Sequence, residues 1–275
     1  MGRWLLCACV VLLAPSTARA AKADPLGDAR ALYNQRKFEA AVNAAERARL
    51  DPALADGADL VAARAYLERF RESAASDDLV NARDRLRRLN PERFAPSERV
   101  ELVVGLGEAL YFDESYGAAA DIFASVLDAE IRTNTDTTYG TGGLPTEARE
   151  RVLDWWASAL DRGGRARVEG DRSGVYERIR ARMEGELVAH PASATASYWL
   201  AAASVGRGDG QAAWDAAEAG WVRAPLASDR GAALRADLDR LVLHAIVPER
   251  AKALAQPPDA LRLEWERFKE RWKKD

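Results

Sequence analysis

The chain has 275 residues, of which 48% are hydrophobic and 30% are charged, and its formal net charge is −3 at pH 7. This slightly acidic composition excludes the strongly basic surface that is typical of nucleic-acid-binding proteins, and the length is enough for a sizeable core in one or two domains. Both cysteines, Cys7 and Cys9, lie in the first 20 residues. We therefore expect packing, and not disulfide bonds, to stabilise the rest of the chain.

The first 20 residues have the pattern of a secretory signal peptide. Arg3 precedes an apolar run at 5–13, and Ala18 and Ala20 supply the small residues that a signal peptidase recognises. Because this run is too short to span a bilayer, we expect cleavage after Ala20, with an uncleaved anchor as the alternative. Arginine far outnumbers lysine and alanine is abundant, which suggests a GC-rich bacterial genome. The expected location is therefore the periplasm or the outside of a bacterial cell, with no transmembrane segment in the mature chain.

Residues 21–275 carry the pattern of an all-α protein. Apolar residues recur at spacings of three and four, and runs of β-branched residues are scarce. A residue that precedes proline is disfavoured in the α region, so Pro52, Pro91, Pro191 and Pro225 each mark the end of a helix. The pattern predicts helical hairpins at about 25–50, 56–89, 97–130, 146–190 and 194–224, then a helical segment at 228–256 and a last helix at 258–274.

The hairpins resemble the tetratricopeptide repeat family in the spacing of their small and aromatic residues. The positions that carry the resemblance are Leu106, Gly107, Tyr116, Ala119 and Phe123 in the third hairpin, Leu200, Gly208, Ala213 and Pro225 in the fifth, Phe38, Ala41 and Ala48 in the first, and Ala63, Tyr66 and Ala82 in the second. The resemblance implies a right-handed α-α superhelix of about five hairpins with capping helices at the carboxyl end. Gly107 and Ala213 would then lie where two helices pack closely.

Five segments follow from these patterns. They are the signal peptide at 1–20, repeats at 21–130, a Thr- and Gly-rich loop at 131–145, repeats at 146–256 and an amphipathic capping helix at 257–275. We also expect residues 161–174 to lengthen the turn inside the fourth hairpin. Loops of such length in a compact array are either functional or simply mobile.

The aromatic residues of the carboxyl-terminal half predict a large core. Leu261, Trp265, Phe268 and Trp272 form one apolar stripe on the last helix, as expected of a cap that covers the end of a repeat stack. Trp214 and Trp221 lie seven residues apart and hence on one helix face.

No motif in the sequence assembles a catalytic site. The chain has no phosphate-binding loop, no nucleophile elbow and no paired metal-binding histidines, and its acidic residues are scattered at helix-surface spacing. His190 is expected at a helix end, and His244 is expected to be buried or half-buried. We therefore expect no enzyme activity, no metal and no cofactor.

In the tetratricopeptide repeat family the first helix of each hairpin lines a concave groove, and the resemblance implies the same here. Four apolar residues would also lie on this face: Val104, Leu60, Leu67 and Ala202. The candidate groove residues are Arg30, Tyr33 and Asn34 in the first hairpin, Arg64 in the second, Glu101, Glu108, Tyr111 and Phe112 in the third, and Tyr198 and Trp199 in the fifth. This mixed surface favours an extended or helical peptide over a carboxylate clamp.

The function that these patterns favour is an exported, non-catalytic scaffold that binds a protein partner in the bacterial envelope. One alternative is a glycan-binding or cell-wall-binding module that uses exposed rings of Trp155, Trp156 and Trp199. A second alternative is a structural subunit of an envelope assembly that uses its convex face and the 131–145 loop. Nucleic acid is not an expected partner, because the mature chain is acidic and exported.

Overall fold

The computed structural model describes residues 24–135, 144–165, 168–227 and 230–273. The predicted signal peptide and most of the Thr- and Gly-rich loop lie outside these ranges. The described residues form thirteen α-helices and no β-strand. The helices are α1 (Pro25–Asn34), α2 (Phe38–Ala48), α3 (Ala55–Ser73), α4 (Ser76–Leu86), α5 (Pro96–Phe112), α6 (Tyr116–Thr135), α7 (Thr146–Arg165), α8 (Glu169–Ala189), α9 (Ala194–Gly206), α10 (Gly210–Arg223), α11 (Gly231–Leu241), α12 (Val247–Leu254) and α13 (Pro258–Arg271).

The all-α prediction is confirmed, and the helices pair as the proline pattern predicts. Consecutive helices pack against each other as α1–α2, α3–α4, α5–α6, α7–α8 and α9–α10. The helices before the four prolines end at Ala48, Leu86, Ala189 and Arg223. Asn90 and His190, which precede Pro91 and Pro191, lie outside the α region as the steric effect of proline predicts, whereas Ala224 before Pro225 keeps an α conformation and begins a short 3-10 turn, Ala224–Leu226.

Three of the hairpins share the same three-residue turn. Its middle residue has a left-handed backbone conformation, with φ of 60° at Arg36, 59° at Glu114 and 76° at Gly208. In each turn the following residue donates its backbone N–H to a carbonyl five residues back, as expected for a left-handed helix terminus. These bonds run from Lys37 to Leu32, from Ser115 to Leu110 and from Asp209 to Ser204. The first, third and fifth hairpins therefore share one turn structure.

The first helices of the hairpins form one layer of the structure. Helix α3 contacts α1 and α5, helix α7 contacts α5 and α9, and α9 contacts α11. Gly57 permits the approach of α1 and α3. A Cβ on Gly57 of α3 would lie 2.9 Å from Leu26 Cδ2 of α1. Side chains on the open side of this layer are thus brought together from separate hairpins.

The carboxyl-terminal helices close the stack around a tryptophan cluster. Leu261, Trp265 and Phe268 of α13 are buried, whereas Trp272 is 51% exposed. The Trp265 ring lies 5.8 Å from that of Trp214 and 5.5 Å from that of Trp221, so both predicted tryptophans pack against the following unit. A π-helical segment, Val242–Ile246, joins α11 to α12 within this cluster. No described helix has the length and hydropathy needed to cross a membrane.

Two local predictions are wrong. Residues 161–174 do not form a long turn, because α7 continues to Arg165 and α8 begins at Glu169. Gly164 remains helical and faces α8. A Cβ on Gly164 would lie 3.2 Å from Val175 Cγ1, so the glycine leaves room for this side chain. His244 is exposed instead of buried, because the π-helical segment turns Val242 and Ile246 toward the core and leaves the histidine outside.

Gly107 provides a test of the close packing inside the third hairpin. A Cβ at this position would lie 2.7 Å from Phe123 Cε1, and the fully buried ring has no open space into which to move. We expect Gly107→Ala to lower the free energy of unfolding by about 1–3 kcal/mol through overpacking. Urea denaturation measures this change. Gly117→Ala in α6 is the matched control, because nothing lies within 4 Å of its Cβ, and it should stabilise by about 0.5–1 kcal/mol. The packing described would be contradicted if Gly107→Ala did not lower the free energy of unfolding relative to Gly117→Ala.

Candidate binding site

A cleft of about 310 Å³ lies between the first helices of the first four hairpins. Helices α1, α3, α5 and α7 each contribute side chains to it, together with the residues that precede α7. The lining residues are Tyr33, Asn34, Arg64, Glu68, Ser97, Val100, Glu101, Val104, Glu108, Leu144, Pro145, Ala148, Arg151, Val152 and Trp155. Residues that are far apart in the sequence therefore meet at one recess.

Half of the ten groove residues predicted from the sequence line this cleft. They are Tyr33, Asn34, Arg64, Glu101 and Glu108. Arg30 lies outside it, on the exposed surface, where its guanidinium forms an ion pair with Glu98. Tyr198, in the fifth hairpin, is half-buried and packs edge-on against the Trp199 ring.

The remaining predicted aromatic residues lie outside the cleft, and two of them, Tyr111 and Phe112, pack against Trp155 in its wall. Tyr111 is buried and its hydroxyl lies 2.8 Å from Ser158 Oγ. Phe112 is half-buried and packs edge-on against Phe70 at 4.9 Å. Trp199 is only 8% exposed, and its Nε1 donates a hydrogen bond to Asp154 Oδ1 at 2.8 Å. These side chains are held by internal partners and do not line the cleft.

Trp155 is the aromatic wall of the cleft, and its position is fixed by three other rings. Its ring lies 4.8 Å from that of Tyr111 and 5.6 Å from that of Phe112, both edge-on, and 6.2 Å from the nearly parallel ring of Phe123. Edge-on aromatic contacts at this distance are favourable and directional. The half-buried indole is therefore presented to the cleft by a rigid support.

Sequence reasoning missed the contribution of α7 and one residue of α3. Glu68 and Arg151 were not candidates, and Trp155 was considered only as part of a glycan surface. The signal for α7 is present in the spacing of Ala148, Arg151, Val152 and Trp155, which follow one another at three, one and three residues on one helix face. The fourth hairpin departs from the repeat pattern, so its groove positions could not be assigned by register.

Arg64 links three of the four helices of the cleft. Its Nη1 donates a hydrogen bond to Glu101 Oε2 of α5 at 3.0 Å, and its guanidinium carbon lies 4.8 Å from the centre of the Tyr33 ring of α1. Burial acts to lower the pKa of Arg64, but the nearby Tyr33, Glu108 and Glu101 outweigh it and raise the pKa above its ordinary value. Burial raises the pKa of Tyr33 to about 12. Arg64 is therefore a permanent cation and Tyr33 a neutral phenol at ordinary pH.

Glu108 is the unusual group in the cleft. Its side chain is buried, with the residue only 5% exposed, and the described residues provide no hydrogen-bond or ion-pair partner for its carboxyl group. Burial raises the pKa of Glu108 to about 7, although the positive charge of Arg64 acts in the opposite direction. A buried carboxyl without a partner is unfavourable in its ionised form and tends to hold its proton.

Two of the three tryptophan rings on which the glycan alternative depends are buried. Trp156 is only 2% exposed and Trp199 only 8%, so neither ring is available to stack on a sugar. Trp156 lies instead under the guanidinium groups of Arg178 and Arg182. Of the three rings on which the alternative depends, only Trp155 reaches an open recess.

A second cavity, of about 320 Å³, lies near the start of α7 and the turn between α8 and α9. Some of its polar groups are used internally: the buried Arg149 and Glu186 are paired, and Glu150 accepts a hydrogen bond from the Thr195 backbone N–H at 3.1 Å. Thr195 Oγ1 and Arg230 Nη1 are buried without a hydrogen-bond partner among the described residues. Within the described ranges no three His, Cys, Asp or Glu residues are grouped as metal ligands would be.

Comparison with protein-family models, with curated proteins and with solved structures gave no match. Membership of the tetratricopeptide repeat family stays a prediction that depends on the sequence positions given above.

The raised pKa of Glu108 predicts how stability depends on pH. The folded protein binds this proton more tightly than the unfolded chain, so the stabilisation is complete below pH 4.5 and is lost as the pH rises through 7. The loss amounts to about 3 kcal/mol, because each unit of pKa shift corresponds to about 1.4 kcal/mol. Glu108→Gln should remove this component from the pH profile of urea unfolding.

The control is Glu39→Gln, which replaces an exposed carboxyl on α2 outside the cleft. This variant should keep the profile of the parent protein. A Glu108→Gln profile parallel to that of the parent between pH 4.5 and 7 would show that Glu108 titrates normally.

Proposed function

We propose that the protein is a non-catalytic scaffold that holds a peptide segment of a partner protein in the cleft between α1, α3, α5 and α7. The observation that carries the proposal is the convergence of side chains from four separate hairpins on one recess that contains polar groups without internal partners. Helical arrays of this kind use the surface that their stacked units build as an extended binding face.

The size of the cleft favours a peptide over a larger or more compact ligand. Its volume of about 310 Å³ is at the lower limit of small-molecule sites, which enclose roughly 300–1,000 Å³. The recess therefore suits one or two side chains of a chain that lies along the groove. Val100, Val104 and Trp155 supply apolar wall, and Ser97 and Asn34 supply polar groups at the exposed edge.

The lining favours binding over catalysis. Among the described residues that line the cleft, the hydroxyl groups belong to Ser97 and Tyr33, and there is no histidine, cysteine or lysine. Ser97 is exposed at the start of α5, and no lining imidazole is available to take its proton. Covalent catalysis needs a nucleophile within hydrogen-bond distance of a base, and this set of side chains does not supply that pair.

We further propose that the scaffold acts in the bacterial envelope as a member of the tetratricopeptide repeat family. Export is supported by the signal-peptide pattern of residues 1–20, and the repeat family by the shared positions of the hairpins. The three equivalent turns at Arg36, Glu114 and Gly208 also support an origin from one repeated unit.

Filling the cleft tests whether it is the binding surface. Ala148 is half-buried in the cleft wall on α7. The indole side chain of Ala148→Trp should therefore fill the recess while the backbone at this position stays helical. Ala118→Trp, at an exposed position of α6 outside the cleft, is the matched control. A random-peptide display library is selected on the mature protein, and the binding of the selected peptides is then measured on both variants.

We expect the control to bind the selected peptides as the parent does, and Ala148→Trp to lose at least tenfold in affinity, or about 1.4 kcal/mol. Circular dichroism confirms that both variants fold. A folded Ala148→Trp that binds the same peptides equally well would place the interaction elsewhere on the protein. Selection of no peptides at all would contradict the proposed function itself.

A further inference from the structure

We propose that the inner end of the cleft is a pocket for a positively charged side chain, lysine or arginine, of the bound peptide, with the Glu108 carboxylate as its counter-ion. The inference rests on the proposed function and extends it by assigning the chemistry of the bound residue. It depends on the depth of the cleft, on the pairing of its charges and on the apolar wall that leads to Glu108.

The cleft becomes deeper along α5. Ser97, Glu101, Val104 and Glu108 follow one another at spacings of four, three and four, so they lie on one face of the helix. Ser97 and Glu101 are exposed, whereas Val104 and Glu108 are buried. A side chain that enters at the exposed end therefore passes Val104 before its tip reaches Glu108.

The charged groups around Glu108 are mostly committed to one another. Arg64 Nη1 donates to Glu101, although its buried Nε has no hydrogen-bond partner among the described residues, and Arg71 Nε donates to Glu68 Oε2 at 2.8 Å. Arg151 is exposed at the edge of the cleft. The titratable and charged groups that face Glu108 are Tyr33 from α1, Arg64, Glu68 and Arg71 from α3, Glu101 from its own helix and Arg151 from α7. Within the described structure Glu108 is the buried carboxyl of this set that lacks a partner.

A cationic guest would satisfy both features of the pocket. Lysine and arginine carry a long apolar stem and a charged tip, and the stem can pack against apolar surface such as Val104, Val152 and Trp155. The tip would give Glu108 the charge-assisted hydrogen bonds that the protein itself does not provide. An anionic guest fits less well at the deep end, because the carboxyl left unpaired there is Glu108, whereas Arg64 is paired with Glu101 and the remaining lining cation, Arg151, is exposed at the edge of the cleft.

The proposal also predicts a pH dependence with a definite sign. Burial raises the pKa of Glu108 to about 7, so the group is mostly protonated at lower pH and ionised above it. The lysine ammonium, with an ordinary pKa of about 10.4, stays charged throughout. Affinity for a cationic guest should therefore rise about tenfold between about pH 6 and pH 8, as the ionised fraction of Glu108 rises from about one tenth to nine tenths.

The test uses four capped peptides that share one neutral sequence and differ only in a central lysine, arginine, norleucine or glutamate. NMR titration of the mature protein measures the affinity of each peptide at about pH 6 and pH 8. We expect lysine or arginine to bind at least tenfold more tightly than norleucine at the higher pH. Glu108→Gln should abolish this preference and its pH dependence, and Glu39→Gln, an exposed change outside the cleft, should keep both.

Four results would overturn the inference: equal binding of the cationic and norleucine peptides, preference for the glutamate peptide, a preference for cations that persists in Glu108→Gln, or binding of none of the four peptides. The library selection separates this failure from that of the proposed function. If Ala148→Trp blocks selected peptides that carry no cation, the scaffold stands and only the assignment of Glu108 falls.

Discussion

The close approach of α1, α3 and α5 is the constraint on which the cleft depends. Gly57 lets α3 reach Leu26 of α1, because a Cβ there would lie 2.9 Å from Leu26 Cδ2. Arg64 then uses its guanidinium to contact the Tyr33 ring and Glu101, so one side chain joins three hairpins. A charge held this way in a half-buried position is favourable only because both of its contacts are present.

The arrangement of Arg64 explains why Glu108 is left without a partner. The nearest permanent cation is already bonded to Glu101, and Arg71 is bonded to Glu68. Glu108 therefore remains in a desolvated position, which disfavours its ionised form and destabilises the fold at higher pH. Groups with perturbed pKa values cluster at functional sites in proteins, and here the perturbed group lies at the deep end of the cleft. The destabilisation is the physical reason to expect a ligand there.

The sequence predicted the hairpins well because their signals are local. Asn90 and His190, which precede Pro91 and Pro191, lie outside the α region by steric exclusion, and this effect needs no tertiary information. The prediction of a long turn at 161–174 is wrong, because α7 continues through Gly163 and Gly164 to Arg165. In the structure a helical glycine is favoured there, since Val175 packs against the position of its missing Cβ.

The site was predicted in part, and the limit is again physical. The repeat register brought Glu101 and Glu108 to the correct face of α5, whereas Tyr111 and Trp199 were expected in the groove and are buried. Their polar atoms are used by Ser158 and Asp154, which lie 47 and 45 residues away in the chain. Pairing over such separations depends on the packed structure, as does the choice of Arg64 between two neighbouring carboxylates. No local pattern marks Glu108 as the unpaired one.

The most direct measurement is the titration of the Glu108 carboxyl group itself. Side-chain carboxyl carbons are followed by NMR as a function of pH in a chain of residues 21–275, and Glu108→Gln identifies the resonance. A midpoint near 7 is the expected result, and it should shift to lower pH when a cationic peptide binds and stabilises the carboxylate. A midpoint near 4.5, the ordinary value for glutamate, would contradict the account, because it would mean that Glu108 is solvated or already paired.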